Sequence, residues 1–162
     1  MSQTTAFNLS AATEFVWMEA DLLDQKSYKQ WLTLWEAEGK YIVPIDPEET
    51  DFENSLNYAY DDAAMRDMRV RRLTSGQSMS AAHAAKTLRT ISRFVRLDDD
   101  ENGNIRIRGA QHLVEYKFDK HRTYAANVTW RLKPSDTGFQ IVEKIVRLLN
   151  SEDALSGMTI LL

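Results

Sequence analysis

A chain of 162 residues, 43% hydrophobic and 27% charged, has the make-up of one folded domain and excludes both wholesale disorder and a fibrous repeat. It contains no cysteine, which excludes disulfides, thiolate nucleophiles and cysteine-ligated zinc or iron–sulfur clusters within this chain. The formal net charge of −4 hides an uneven spread, with −10 over residues 1–64, +7 over residues 65–96 and −1 over the remainder.

The basic segment offers Phe94 as its single aromatic. Base stacking needs interleaved aromatics, so its arginines are read as answering acids of the first third or of a protein partner, not nucleic acid. No apolar run approaches the roughly 20 residues that span a bilayer, and M-S-Q-T-T-A-F-N carries neither a basic nor an apolar leader region. The expectation is a cytoplasmic chain without a membrane partner. Residues 1–162 are read as a single domain, with residues 1–9 as a flexible tail.

Residues 10–24 predict a helix capped by Ser10, with Phe15, Met18 and Leu22 on one stripe and Val16, Ala20 and Leu23 beside it. Ser27-Tyr28-Lys29-Gln30 is a capping box; Tyr28, Trp31, Leu32 and Trp35 follow at helical spacing, and Gly39 falls just past the expected end. Lys40 to Ile45 reads as a short strand, which Pro44 confines to an edge or an end. Residues 46–58 are acidic and aperiodic, hence a surface loop.

Residues 60–76 predict a helix. Asp61 or Asp62 can cap it, and Asp62/Arg66 and Asp67/Arg71 are acid-first pairs four apart. Met65, Met68 and Leu73 make a narrow apolar edge, and Gly76 suits the stop. From Lys86 onward the period becomes two, and residues 87–97, 104–119, 121–133, 138–149 and 157–162 read as strands. Tyr124, Ala126, Val128, Trp130 and Leu132 alternate with polar residues, so one face of that strand is buried.

One strand shows a phase change. Ile105 and Ile107 are apolar at odd positions, whereas His112, Val114, Tyr116 and Phe118 are apolar or aromatic at even ones. A β-bulge at Gly109-Ala110 would reconcile them. Helices followed by long antiparallel strands with a bend predict an α+β cone, a strongly curved antiparallel or mixed sheet closed by the N-terminal helices.

Candidate chemistry is sparse. His83 and His121 read as surface or interface residues. His112, on the expected concave face near Tyr116, reads either as a hydrogen-bonded core histidine or as a general base in a hydrophobic pocket, as in a free-standing dehydratase, isomerase or cyclase. No pair of histidines four apart and no closely spaced two-histidine-one-carboxylate set is present. Trp17, Tyr28, Trp31 and Trp35 either line a pocket or form plain core.

Three stretches together resemble one family, the small (β) subunits of bacterial aromatic-ring-hydroxylating dioxygenases, over most of residues 14–162. They are E-A-D-L-L-D-Q-K-S-Y-K-Q-W-L-T-L-W with K-Y-I-V-P-I, then Y-D-D followed by an arginine-rich helix and R-L-T-S-G, and finally K-I-V-R-L-L-N-S-E-D-A-L-S-G-M-T-I-L-L. The chain departs from the family where Arg89-Thr90-Ile91-Ser92-Arg93 stands at a histidine-serine-asparagine cluster, and where Met65 and Met68 lie at or beside usual leucines. The resemblance implies a cone fold like that of nuclear transport factor two. It implies no catalytic, cofactor or metal residues in this chain. The Rieske [2Fe-2S] cluster and the mononuclear Fe(II) would belong to a partner large subunit, and the chain would trimerise within a hexamer of three large and three small subunits. Arg66, Arg69, Arg71, Arg72, Arg89 and Arg93 are the candidate interface residues.

Overall fold

The computed structural model describes residues 2–75, 85–151 and 160–162. Helix α1 spans Ser2–Asp24, so the backbone expected as a tail continues the helix, and Ser10 lies inside it. Its buried positions are Ala12, Phe15, Val16, Glu19, Ala20 and Leu23, spaced three or four apart as a core-facing stripe requires. Met18, expected in the stripe, and its neighbour Trp17 are both exposed. The indole of Trp17 still donates to the Ile91 carbonyl at 2.9 Å.

Helix α2 is short, Tyr28–Thr33. Ser27 occupies its N-cap position but makes no side-chain capping bond. Trp35, expected in the helix, instead opens strand β1, Trp35–Pro44. Gly39 is therefore no helix stop. A Cβ there would lie 2.8 Å from the Ile141 carbonyl oxygen and 2.9 Å from the Trp35 ring, so it is close backbone approach that requires glycine.

After a 3-10 turn at Phe52–Asn54, strand β2, Asn57–Asp61, forms where the sequence predicts the end of a loop and a helix start. Helix α3, Ala63–Ser75, follows. The Asp62 carboxylate accepts from the Met65 amide at 3.0 Å, so Asp62 is the cap and Asp61 is not. Arg66 and Val70 face inward, while Met65 and Met68 are exposed. The Gly76 stop lies outside the described residues.

Strands β3, Lys86–Arg96, β4, Ile105–Lys117, β5, Lys120–Ser135, and β6, Gly138–Leu148, follow. The six strands form one sheet in the order β2-β1-β6-β5-β4-β3, antiparallel except for the parallel β1–β6 pair. Residues 160–162, expected within a last strand, are not strand, although Leu161 and Leu162 are buried; residues 157–159 of that expected strand lie outside the described residues.

The bulge expected at Gly109-Ala110 of β4 does not form; a bulge lies on the neighbouring strand instead. Pairing of β4 with β5 runs without a shift from Ile105↔Leu132 to Lys117↔Lys120. The shift lies in β3 between Ser92 and Val95, facing Ala110 and Arg108. Arg93 absorbs it at φ 55°, a left-handed conformation that non-glycine residues adopt at some cost. Both Ile91 and Phe94 thereby turn inward, and each comes within 3.2 Å of where a Cβ on Gly109 would lie. Glycine at that position makes room for a bulge in its neighbour.

Candidate functional site

The two faces of the sheet offer two kinds of site. On the helix-covered face, Glu19 of α1 and Lys144 of β6 form an ion pair at 3.0 Å with both side chains 1% exposed. The Glu19 carboxylate also accepts from the Trp31 indole at 2.9 Å and the Trp130 indole at 3.0 Å. Lys144 donates a further bond to the Leu162 carbonyl at 2.9 Å, and the Tyr41 hydroxyl accepts from the Leu162 amide at 3.0 Å. Burial pulls the Lys144 ammonium below its usual range, against the opposing Glu19 charge. Burial likewise pushes the Tyr41 hydroxyl up, against the Leu162 amide and the Arg69 charge.

Sequence reasoning missed this centre. Its signal was present: Glu19 stands three residues after Val16 and four before Leu23 on the buried helix face, and Lys144 shares strand parity with Val146 and Leu148.

His112 does not join this interior. Because β4 carries no bulge, its odd residues stay inward throughout, with Gln111, Leu113 and Glu115 buried and His112 and Tyr116 exposed on the opposite face. His112 pairs across the strands with Thr90 and Ala125. Tyr116 instead donates to Asp119 at 3.0 Å and meets the His121 ring at 4.9 Å. This exposure does not favour a His112–Tyr116 acid–base site in a hydrophobic pocket. His83 lies outside the described residues.

The candidate arginines divide. Arg66 is buried, donates to the Gly39, Asp61 and Glu36 carbonyls and stacks 4.2 Å over the Trp35 ring; burial lowers its pKa against the Asp61 and Asp62 charges. Arg69 pairs with the buried Asp61. Arg89, also buried at its side chain, pairs with Asp24 and donates to the Leu161 carbonyl. Arg71 is exposed beside Asp67 at 2.8 Å, Arg72 is exposed, and Arg93 reaches Asn127 at 2.6 Å on the outer face. Trp31, Trp35 and Tyr28 are core, and Trp31, Trp35 and Tyr41 meet edge to face.

On the outer face, two adjoining grooves of about 520 Å³ each share Arg93, Asn127 and Leu149. Thr90, His112 and Ala125 line the first, and Arg108, Thr129 and Arg147 the second. Arg147 is anchored to the Pro47 and Glu49 carbonyls at 2.8 and 2.7 Å. Leu88 and Leu149 stand 67% and 69% exposed on this face. Apolar residues bared beside arginines have the make-up of an interface.

Neither face suits redox iron. A Rieske centre is held by cysteines and histidines, and the sequence has no cysteine. Mononuclear iron takes a two-histidine-one-carboxylate set, and among the described residues no three of His, Asp and Glu are grouped so as to hold a metal ion.

A family model described as ring hydroxylating beta subunit matches residues 18–152. The chain is 30% identical over 142 residues to the 2-halobenzoate 1,2-dioxygenase small subunit of Burkholderia cepacia, covering 84% of this chain and 85% of that one. It is 26% identical over 144 residues to the benzene 1,2-dioxygenase subunit beta of Pseudomonas putida, covering 82% and 77%. In fold it is similar to the beta subunit of benzoate 1,2-dioxygenase from Burkholderia mallei, with a TM-score of 0.74 at 23% identity over 88% of this chain and 91% of that one. A chain of naphthalene 1,2-dioxygenase superposes with a TM-score of 0.82 at 18% identity, covering 97% and 86%. An NTF2-like protein with a cystatin-like fold from Novosphingobium aromaticivorans gives 0.63 at 13% identity, covering 96% and 90%. The α+β cone read from strand periodicity is this NTF2-like fold, and the chain belongs to the ring-hydroxylating dioxygenase β subunits.

Proposed function

We infer that this single-domain chain is the structural subunit of a cytoplasmic dioxygenase acting on aromatic compounds. It trimerises and supports three large subunits that carry the Rieske cluster and the mononuclear iron. The observation that carries this reading is the outer sheet face. Arg93, Arg108 and His112 stand there among the exposed Leu88 and Leu149, while the interior charges are already bonded to one another. Arg71 and Arg72, exposed on α3, provide a second contact surface. Ring chemistry then belongs to the partner, and this chain contributes a rigid base that holds the partner's sites in place.

The test is co-expression with a large subunit whose sequence carries C-x-H and C-x-x-H spacing. Light scattering of the purified complex should give equal numbers of both chains, three of each, and the small chain alone should self-associate at micromolar concentration. A small chain that stays monomeric and fails to co-purify with any such partner would overturn the reading, as would turnover of an aromatic substrate by this chain alone.

A further inference from the structure

Residues 160–162 are held in an unusual way. Among the described residues no backbone-to-backbone hydrogen bond ties them to the sheet. Instead, side chains from three different strands read their backbone. Arg89 of β3 donates to the Leu161 carbonyl, Lys144 of β6 donates to the Leu162 carbonyl at 2.9 Å, and Tyr41 of β1 accepts from the Leu162 amide at 3.0 Å. Each of the three is fixed from behind: Arg89 by Asp24, Lys144 by Glu19, and the Tyr41 ring by Trp31 and Trp35. The Leu161 and Leu162 side chains sink to 3% and 0% exposure.

Donors and an acceptor aimed at main-chain atoms, above an apolar seat, are the elements of a peptide-recognition site. We propose that the cone interior is a binding site for a short apolar peptide segment, filled in cis by residues 160–162 as a releasable strap. Strand pairing would lock such a segment to the sheet ladder. Side-chain clasps let it leave while the sheet stays whole, because the pairing of β1, β6, β5, β4 and β3 does not pass through it. An incoming segment must carry carbonyl oxygens for Arg89 and Lys144, an amide hydrogen for Tyr41 and bulky aliphatic side chains. The sequence M-T-I-L-L of residues 158–162 meets that description.

The test uses the full chain with Leu161→Ser and Leu162→Ser, which empties the apolar seat but leaves Arg89, Lys144 and Tyr41 in place. A synthetic M-T-I-L-L peptide is titrated against it while tryptophan fluorescence is followed. The variant should bind the peptide saturably at least tenfold more tightly than the unaltered chain, whose site is filled. Adding Tyr41→Phe, which removes the acceptor for the amide, should weaken binding at least tenfold. Equal binding to both chains, no binding to the folded variant, or indifference to Tyr41→Phe overturns the proposal. Should the variant not fold, amide exchange on the unaltered chain decides. A Leu162 amide that exchanges at least a hundredfold faster than that of Leu113 or Val128 shows the strap opening by itself, whereas exchange at the rate of those sheet amides sinks it.

Discussion

On the helix-covered face of the sheet, Glu19, Lys144, Trp31, Trp130 and Tyr41 bond to one another and to Leu162. On the opposite face, Arg93 and Arg108 stand in grooves beside the bare Leu88 and Leu149. Both faces mix charge with apolar surface, yet one is closed by its own chain and the other is left open. Desolvating an ion pair roughly cancels its attraction, so the inner pair adds little net stability while penalising any arrangement that separates it. Charge inside is bonded within the chain, whereas charge outside stands in open grooves.

The sharpest way to break that contrast is Lys144→Met, which strands a buried carboxylate. The loss expected is about 3–5 kcal/mol of unfolding free energy by chemical denaturation. Pairing it with Glu19→Leu should recover part of that loss, limited by the indole N–H groups of Trp31 and Trp130, which would then lack an acceptor. Next in size is Gly39→Ala, whose methyl would meet the Ile141 carbonyl at 2.8 Å; overpacking of that kind costs about 1–3 kcal/mol.

A pH series sharpens the inner half. Burial holds the folded pKa of Lys144 below the ordinary 10.5 of a lysine, so between the two the unfolded chain binds more protons and stability rises with pH. Burial holds the folded pKa of Tyr41 above the ordinary 10.0 of a tyrosine, so beyond that pH the unfolded chain loses protons first and stability falls. Each limb has a slope of at most about 1.4 kcal/mol per pH unit. Lys144→Met should flatten the rise and Tyr41→Phe the fall; denaturation midpoints that ignore either change would refute the assignment. The smallest effect on folding belongs to the outer face. Arg108→Glu should leave subunit stability within about 0.5 kcal/mol while weakening association in sedimentation, and an unchanged association constant would remove that face from the interface.

Much of this was legible in the sequence where a period repeats. The alternation from Tyr124 to Leu132 placed β5 and its buried face correctly, and Val16, Ala20 and Leu23 marked the core side of α1. Legibility failed where a single residue overrides the period. Trp35 continues a helical spacing yet begins a strand, because the Leu34 carbonyl accepts from the Ile141 amide at 2.8 Å across a parallel pairing. The phase change around Gly109 marks no bulge in its own strand, because the even residues of β4 simply face outward; the extra residue sits in the adjoining strand, and Gly109 makes room for Ile91 and Phe94 there. The ion pair was hidden for another reason. Glu19 and Lys144 are 125 residues apart, so the buried spacing of each is a local signal, but that the two charges meet is not.

The contacts of α1 with β3 carry one more consequence. Among the described strands β3 is an outermost one, and such a strand offers unpaired main-chain groups to any extended segment that drifts by. Here the Trp17 indole covers the Ile91 carbonyl and the Asp24 carboxylate covers the Arg89 amide. Two helix side chains thus occupy main-chain groups of this rim that would otherwise be open to strand addition.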